Sequence, residues 1–147
     1  MYKRILVAID GSATSNRALR EAIDLAKEQQ AALRLVHVID ETPISLGDVG
    51  WMGDAELEDA FFKVGQKIMD QALEQVRNAG LEGGSALLQT VGKRIGSVIV
   101  EEAKRWPADL IVVGTHGRHG VEHLLLGSVA EGVIRTASVP VLLIRGQ

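Results

Sequence analysis

The chain has 147 residues, 46% of them apolar and 24% charged, with a formal net charge of −3. One domain of this length buries enough surface to support a real core. There is no basic field to attract nucleic acid or anionic lipid. The absence of cysteine excludes disulfides, thiolate metal sites and a cysteine nucleophile, and fits a reducing compartment. Aromatic residues are 3% of the chain, too few for a base-stacking platform.

KRILVAI (3–9) is a short, nearly continuous apolar run, as expected of a strand buried on both faces. Asp10 interrupts it before a signal-peptide core or a spanning helix can form, so the expectation is a cytoplasmic protein that is not inserted in a membrane. SNRALREAIDLAKEQQ (15–30) then places Ala18, Leu19, Ala22, Ile23, Leu25 and Ala26 on a helical stripe, with Ser12, Thr14 and Ser15 as candidate N-caps. ALRLVHVID (32–40) reads as a second strand. Residues 41–54 contain Pro43, Gly47, Gly50 and Gly53 without a period, and read as a loop.

From Ala55 to Ala79, Leu57, Phe61, Val64, Ile68, Ala72 and Val76 recur three or four apart. This spacing predicts a long amphipathic helix ended by Gly80. ALLQTV (86–91) predicts a third strand. Gly92 and Gly96 flank a turn, and a third helix runs from Ile95 to Arg105, stopped by Trp106-Pro107. DLIVVG (109–114), SVAEGVIRTA (128–137) and VPVLLIR (139–145) give a strand, a short helix and a last strand. Strict alternation of strand and helix implies a single doubly wound α/β domain over residues 1–147, with a five-stranded parallel sheet and helices on both faces.

Open parallel sheets take ligands beyond the carboxyl ends of their strands, where the strand order reverses. Two loops at such ends carry unusual chemistry. Asp10-Gly11-Ser12 follows the first strand, and residues 114–120 follow the fourth. If those strands are neighbours, the loops face each other across one crevice. Gly114, Gly117 and Gly120 recur every third residue, and glycine lets backbone N–H groups approach an anion without a Cβ in the way. Gly127-Ser128 then opens a helix whose first N–H groups and dipole favour a second anionic contact. Arg118 supplies nearby positive charge. No Walker A and no G-x-G-x-x-G is present, so a nucleotide here is held by another scheme.

His119, Glu122 and His123 also match H-x-x-E-H, an inverted zinc-protease pattern. That pattern needs a regular helix to bring its histidines onto one face. Gly117 and Gly120 make a helix beginning at His119 poor, and a third ligand is wanting. His37, inside the second strand, reads as a satisfied core or crevice histidine. A flavin module is disfavoured because flavin sites want aromatic walls, and only Trp51 lies in a suitable loop.

Gly114-x-x-Gly117, nine residues, then Gly127-Ser128 resembles the ATP-binding signature of the universal stress proteins. KRILVAIDGS, LVHVID, LIVVGTHGRHG and SVPVLLIR stand in matching order, so the resemblance covers the whole chain. It implies a sheet of order 3-2-1-4-5 with adenine nucleotide, ATP with Mg²⁺, in the crevice. By that resemblance Asp10 lies near the ribose and phosphates and beside the metal. Ala8 and Val38 border the adenine, and the Val38 backbone reads the base edge. Gly114, His116, Gly117, Arg118 and His119 follow the ribose and phosphate path, while Gly127, Ser128 and Val129 hold the phosphates. Ala8 departs mildly from a family pattern that often has proline in the first strand.

The resemblance also implies a homodimer through the last strand, Val139 to Arg145, an apolar segment that would otherwise be an exposed edge. The expected function is nucleotide-dependent regulation in stress, with an unidentified regulatory partner such as a membrane transporter. The alternative is a slow Mg-dependent ATPase.

Overall fold

The computed structural model describes residues 1–42, 53–117 and 126–146. Five strands, β1 (Arg4–Ala8), β2 (Ala32–Asp40), β3 (Gly83–Thr90), β4 (Leu110–Gly114) and β5 (Val141–Ile144), form one parallel sheet in the order β3-β2-β1-β4-β5. Among the described residues, four helices connect them: α1 (Ala13–Gln29), α2 (Asp54–Asn78), α3 (Ile95–Arg105) and α4 (Ser128–Thr136). The expected fold class and strand order are both found.

The sheet separates two apolar cores. On one face Ile5, Val7, Leu33 and Leu35 pack with Leu19 and Ile23 of α1 and with Met69 and Val76 of α2. On the other, Leu6, Val36, Ile111 and Val113 pack with Ile99 of α3 and Val133 of α4. Alternate residues of β1 serve opposite faces, which is why the strand reads as a continuous apolar run.

The helix α1 begins where Ser12, in extended geometry, accepts the amide of Ser15 on its hydroxyl at 3.1 Å. It ends at Gln30, whose left-handed φ of 54° lets its amide return to carbonyls of the last turn. The stripe of α1 is buried as its spacing implies, apart from Leu25, which is half-buried.

The inward face of α2 differs from the sequence reading. Leu57, Gly65, Met69, Ala72 and Val76 are buried, while Val64 is 46% exposed. The helix turns Gly65 toward the sheet because a glycine there allows close approach to β2. A Cβ at Gly65 would lie 3.0 Å from Ile39 Cδ1 and 3.2 Å from His37 Cδ2. Gly96 flanks the turn at 91–94, as its place in the sequence implies. It lies in the first turn of α3, where a Cβ would stand 2.8 Å from the Val129 carbonyl oxygen and 2.9 Å from Gly132 and Val133 backbone atoms of α4. The two helices therefore meet backbone to backbone.

At the amino end of the sheet, Glu102 is only 3% exposed and bonds Arg34 at 2.8 Å and Arg105 at 3.1 Å. Trp106 stacks near both Arg34 and Arg4, with guanidinium carbons 5.2 and 6.0 Å from the ring centroid. This cluster lies away from the loaded loops and ties β1, β2 and α3 together. No helix among the described residues is long and apolar enough to cross a membrane.

Candidate functional site

The strand β1 lies between β2 and β4, so the loops that follow β1 and β4 face one crevice at the carboxyl edge of the sheet. The crevice has a volume of about 760 Å³, within the range of small-molecule sites. Ala8, Asp10, Val38, Gly114, His116, Gly117, Gly127, Ser128 and Val129 all line it. Arg118, His119 and the rest of the zinc-like HGVEH stretch lie outside the described residues, as does most of the 41–54 loop. A shallower groove of about 580 Å³ runs along the outer face of α2 from Phe62 to Arg77, and meets none of the residues singled out by the sequence.

Short contacts between main chain and side chains fix the β1 loop. The Asp10 amide donates to Ser15 Oγ at 2.9 Å, and Asp10 Oδ1 accepts the Ser12 amide at 2.9 Å. Gly11 takes a φ of +81°, a geometry that glycine adopts without strain. The carboxylate is thereby aimed across the crevice at the β4 loop. A Cβ built on Gly117 would stand 2.5 Å from Asp10 Oδ2, so only glycine permits this approach. Gly114 stands in the same relation to Thr14, with 2.8 Å from its ideal Cβ to Thr14 Cγ2.

Thr115 joins the two glycine elements. Its carbonyl accepts the Gly127 amide at 2.6 Å, and its own amide donates to the Ile144 carbonyl of β5 at 2.8 Å. Thr115 and Gly127, which lie on either side of the bridge in sequence, thus meet at a closed neck. The second of the two elements is the start of α4. Its N-cap is Gly127, which makes no side-chain cap hydrogen bond, and Ser128 is the exposed first helical residue. Ser128 therefore does not serve as the cap. The first N–H groups of α4 open on the crevice with no side-chain acceptor in the cap position, the arrangement that suits an anion.

The rest of the lining is apolar on one side and mixed on the other. Ile95 and Ile99 of α3 line the crevice together with Ala8 and Val38 and form a hydrocarbon wall. His37, Phe61 and Gly65 line the opposite flank. The His116 Nδ1 lies 3.1 Å from Thr115 Oγ1. Among the described residues no three His, Asp or Glu side chains gather as a metal site would require. The sequence reading missed Ile95 and Ile99 because they look like ordinary core positions of α3. It missed Thr115 because the roles of that residue are carried by its backbone.

Comparison with known proteins agrees with this fold. Residues 1–145 match the model of the universal stress protein family. A universal stress protein of Methanocaldococcus jannaschii is 35% identical over 99% of this chain and 83% of its own length. The YxiE universal stress protein of Bacillus subtilis is also 35% identical, over 99% of this chain and all of its own. Among solved structures, the hypothetical protein MJ0577 superposes with a TM-score of 0.86 at 27% identity, covering 100% of this chain and 98% of that one. A universal stress protein of Archaeoglobus fulgidus in complex with dAMP superposes at 0.68 with 29% identity, covering 97% and 98% of the two chains. Another universal stress protein, in complex with cAMP, superposes at 0.66 with 25% identity, covering 98% and 97%. The chain belongs to the universal stress protein family.

Proposed function

We propose that this protein binds ATP in the β1–β4 crevice and acts as a nucleotide-dependent regulator in stress. The observation that carries this reading is the closed neck at Thr115 and Gly127. It sets the open N-terminus of α4 beside the Gly114–Gly117 loop, opposite Asp10. Two N–H-rich elements on one side of a crevice suit a polyphosphate. The hydrocarbon wall of Ile95, Ile99, Ala8 and Val38 suits a purine at the other end. Relatives in complex with dAMP and cAMP support an adenine nucleotide as the ligand class.

Magnesium fits this arrangement in a limited way. With no preformed cluster among the described residues, Asp10 would be the carboxylate ligand and phosphate oxygens would complete the shell, which is a usual mode for this ion. Arg118 and His119 belong to the proposed phosphate path on the family resemblance. The ion, when bound with ATP, would offset phosphate charge.

Regulation requires a reader of the bound state. The strand β5 is an edge strand of the described sheet, paired there with β4, and it carries Leu142, 37% exposed. An apolar edge of this kind supports a homodimer through residues 139–145. A protein partner such as a membrane transporter would then read occupancy of the dimer. The second reading is slow ATP hydrolysis, favoured by the presence of His116 in the crevice with Asp10.

Denaturing the purified protein and identifying released nucleotide by chromatography tests the ligand directly. Gly127→Val combined with Ser128→Ala is expected to give a folded protein that no longer retains ATP. Unchanged ATP affinity in that variant would refute the phosphate assignment.

A further inference from the structure

We infer that the His37 imidazole holds open the β1–β2 ladder and so turns the main chain of Val38 toward the ligand, which makes His37 a positioning residue for base recognition. This inference rests on the adenine-nucleotide reading above and adds to it the origin of base selectivity.

In a parallel ladder the N–H and C=O of one residue point to the same neighbouring strand, and successive residues alternate sides. The Ile9 amide donates to the Val36 carbonyl at 2.8 Å. Val36, and two residues on Val38, therefore direct their polar main-chain groups toward β1. The next rung of the ladder would run from the Val38 amide to the Ile9 carbonyl. Pairing instead ends at Ala8 and Val36. The Ile9 carbonyl is taken by His37 Nδ1 at 2.8 Å. A carbonyl has no proton to give, so Nδ1 is the donor.

The side chain of one residue has thus replaced the amide of the next. Val38 keeps its N–H and C=O on the edge that β1 has left, and Val38 lines the crevice there beside Ala8. The ring is held in place from behind by α2. A Cβ on Gly65 would come within 3.2 Å of His37 Cδ2, so glycine in mid-helix lets α2 press the imidazole toward Ile9. Glycine is otherwise a poor choice inside a helix.

An N–H and a C=O from one residue form a donor–acceptor pair. Adenine presents the complement, an N1 acceptor beside an N6 amino donor. Hypoxanthine presents the reverse, an N1–H donor beside an O6 acceptor. The Val38 main chain, when released from the ladder, favours the first and opposes the second. A leucine at position 37 would free the Ile9 carbonyl to recapture the Val38 amide and would remove that distinction.

The test compares ATP with ITP by calorimetry on the full chain, in the wild type and in His37→Leu, His37→Asn and His37→Gln. The wild type is expected to prefer ATP by about tenfold or more, the worth of two modest hydrogen bonds. His37→Leu should bring the ratio to about one while ITP affinity changes by less than about threefold. Asparagine places an amide donor where Nδ1 stands and should keep the preference. Glutamine places its donor near Nε2 and should lose it. The Asn–Gln contrast carries the test if the leucine variant does not fold.

Amide exchange of the nucleotide-free protein gives an independent reading. The Val38 amide should exchange at least about tenfold more slowly in His37→Leu than in the wild type, as it regains a partner. A folded His37→Leu protein with undiminished ATP preference and a fast Val38 amide overturns the inference and leaves the nucleotide reading intact. A wild type that binds neither nucleotide refutes the nucleotide reading instead, and the Val38 exchange rates still decide whether His37 opens the ladder.

Discussion

Gly117 passes so near Asp10 that a β-carbon on the glycine would stand 2.5 Å from the carboxylate oxygen Oδ2. Two loops distant in sequence therefore meet at van der Waals range, one contributing a charge and the other a bare backbone. Gly117→Ala must displace Asp10 or the β4 loop. Asp10 is tied through its amide to Ser15 and through Oδ1 to Ser12, so the loop is expected to yield. The expected outcome is a loss of ATP affinity of about tenfold with little change in melting temperature, measured by calorimetry and thermal denaturation.

Gly96→Ala is expected to act on stability first. Its new methyl group would meet backbone atoms of Val129, Gly132 and Val133, none of which can swing aside. Overpacking of this kind costs about 1–3 kcal/mol, readable in urea denaturation. ATP affinity should fall as well, because the first turn of α4 is the part displaced. Gly80→Ala provides the contrast. Nothing lies within 4 Å of its Cβ position, and its φ of +80° is the sole penalty. It should cost about 1 kcal/mol and leave nucleotide binding unchanged.

Glu102→Ala tests the cluster at the amino end of the sheet. The carboxylate is buried and serves both Arg34 and Arg105. Removing it leaves the Arg34 charge, with 27% of its side chain exposed, in a poorly solvated place beside Trp106. Loss of one partner of such a pair costs about 3 kcal/mol or more, which denaturant unfolding would register. Nucleotide affinity should be retained, since this cluster is remote from the crevice.

Leu142→Lys tests assembly. A charge at this exposed position of the edge strand β5 opposes strand-to-strand pairing between two copies. Sedimentation equilibrium at micromolar concentration should give a dimer for the wild type and a monomer for the variant. A monomeric wild type would remove the dimer from the proposal.

Hydrolysis is checked by turnover. On the regulatory reading ATP is consumed at about one per minute or less, as in nucleotide-binding proteins without a completed catalytic apparatus. Faster turnover that disappears in Asp10→Ala would favour the enzymatic reading.

The strands and helices were legible because apolar periodicity reports burial directly, as β1 and α3 show at nearly every position, whereas the sheet order came from the family resemblance. The crevice was legible in part. Asp10, Gly114, Gly117, Gly127 and Ser128 are residue types whose local chemistry is visible in a one-dimensional spacing. Gly65 and Gly96 were not legible, since their function is close approach to an element far away in sequence. A glycine among apolar residues gives no sign of what it admits. Thr115 acts through its backbone groups, which no side-chain pattern encodes, and Val38 was named only through the family resemblance. His37 was recognised only as satisfied, because the identity of its acceptor, Ile9, is set by where β1 and β2 part.

The contact of Gly96 with Gly132 has a further result. It joins two helices that carry different walls of the crevice. Ile95 and Ile99 belong to α3, whereas Gly127, Ser128 and Val129 stand at the start of α4. With backbone set directly on backbone, no side chain lies between them to act as a compressible spacer. The separation of the two walls is therefore a fixed gauge. On the proposed ATP reading, a ligand that spans them would be selected by its own length.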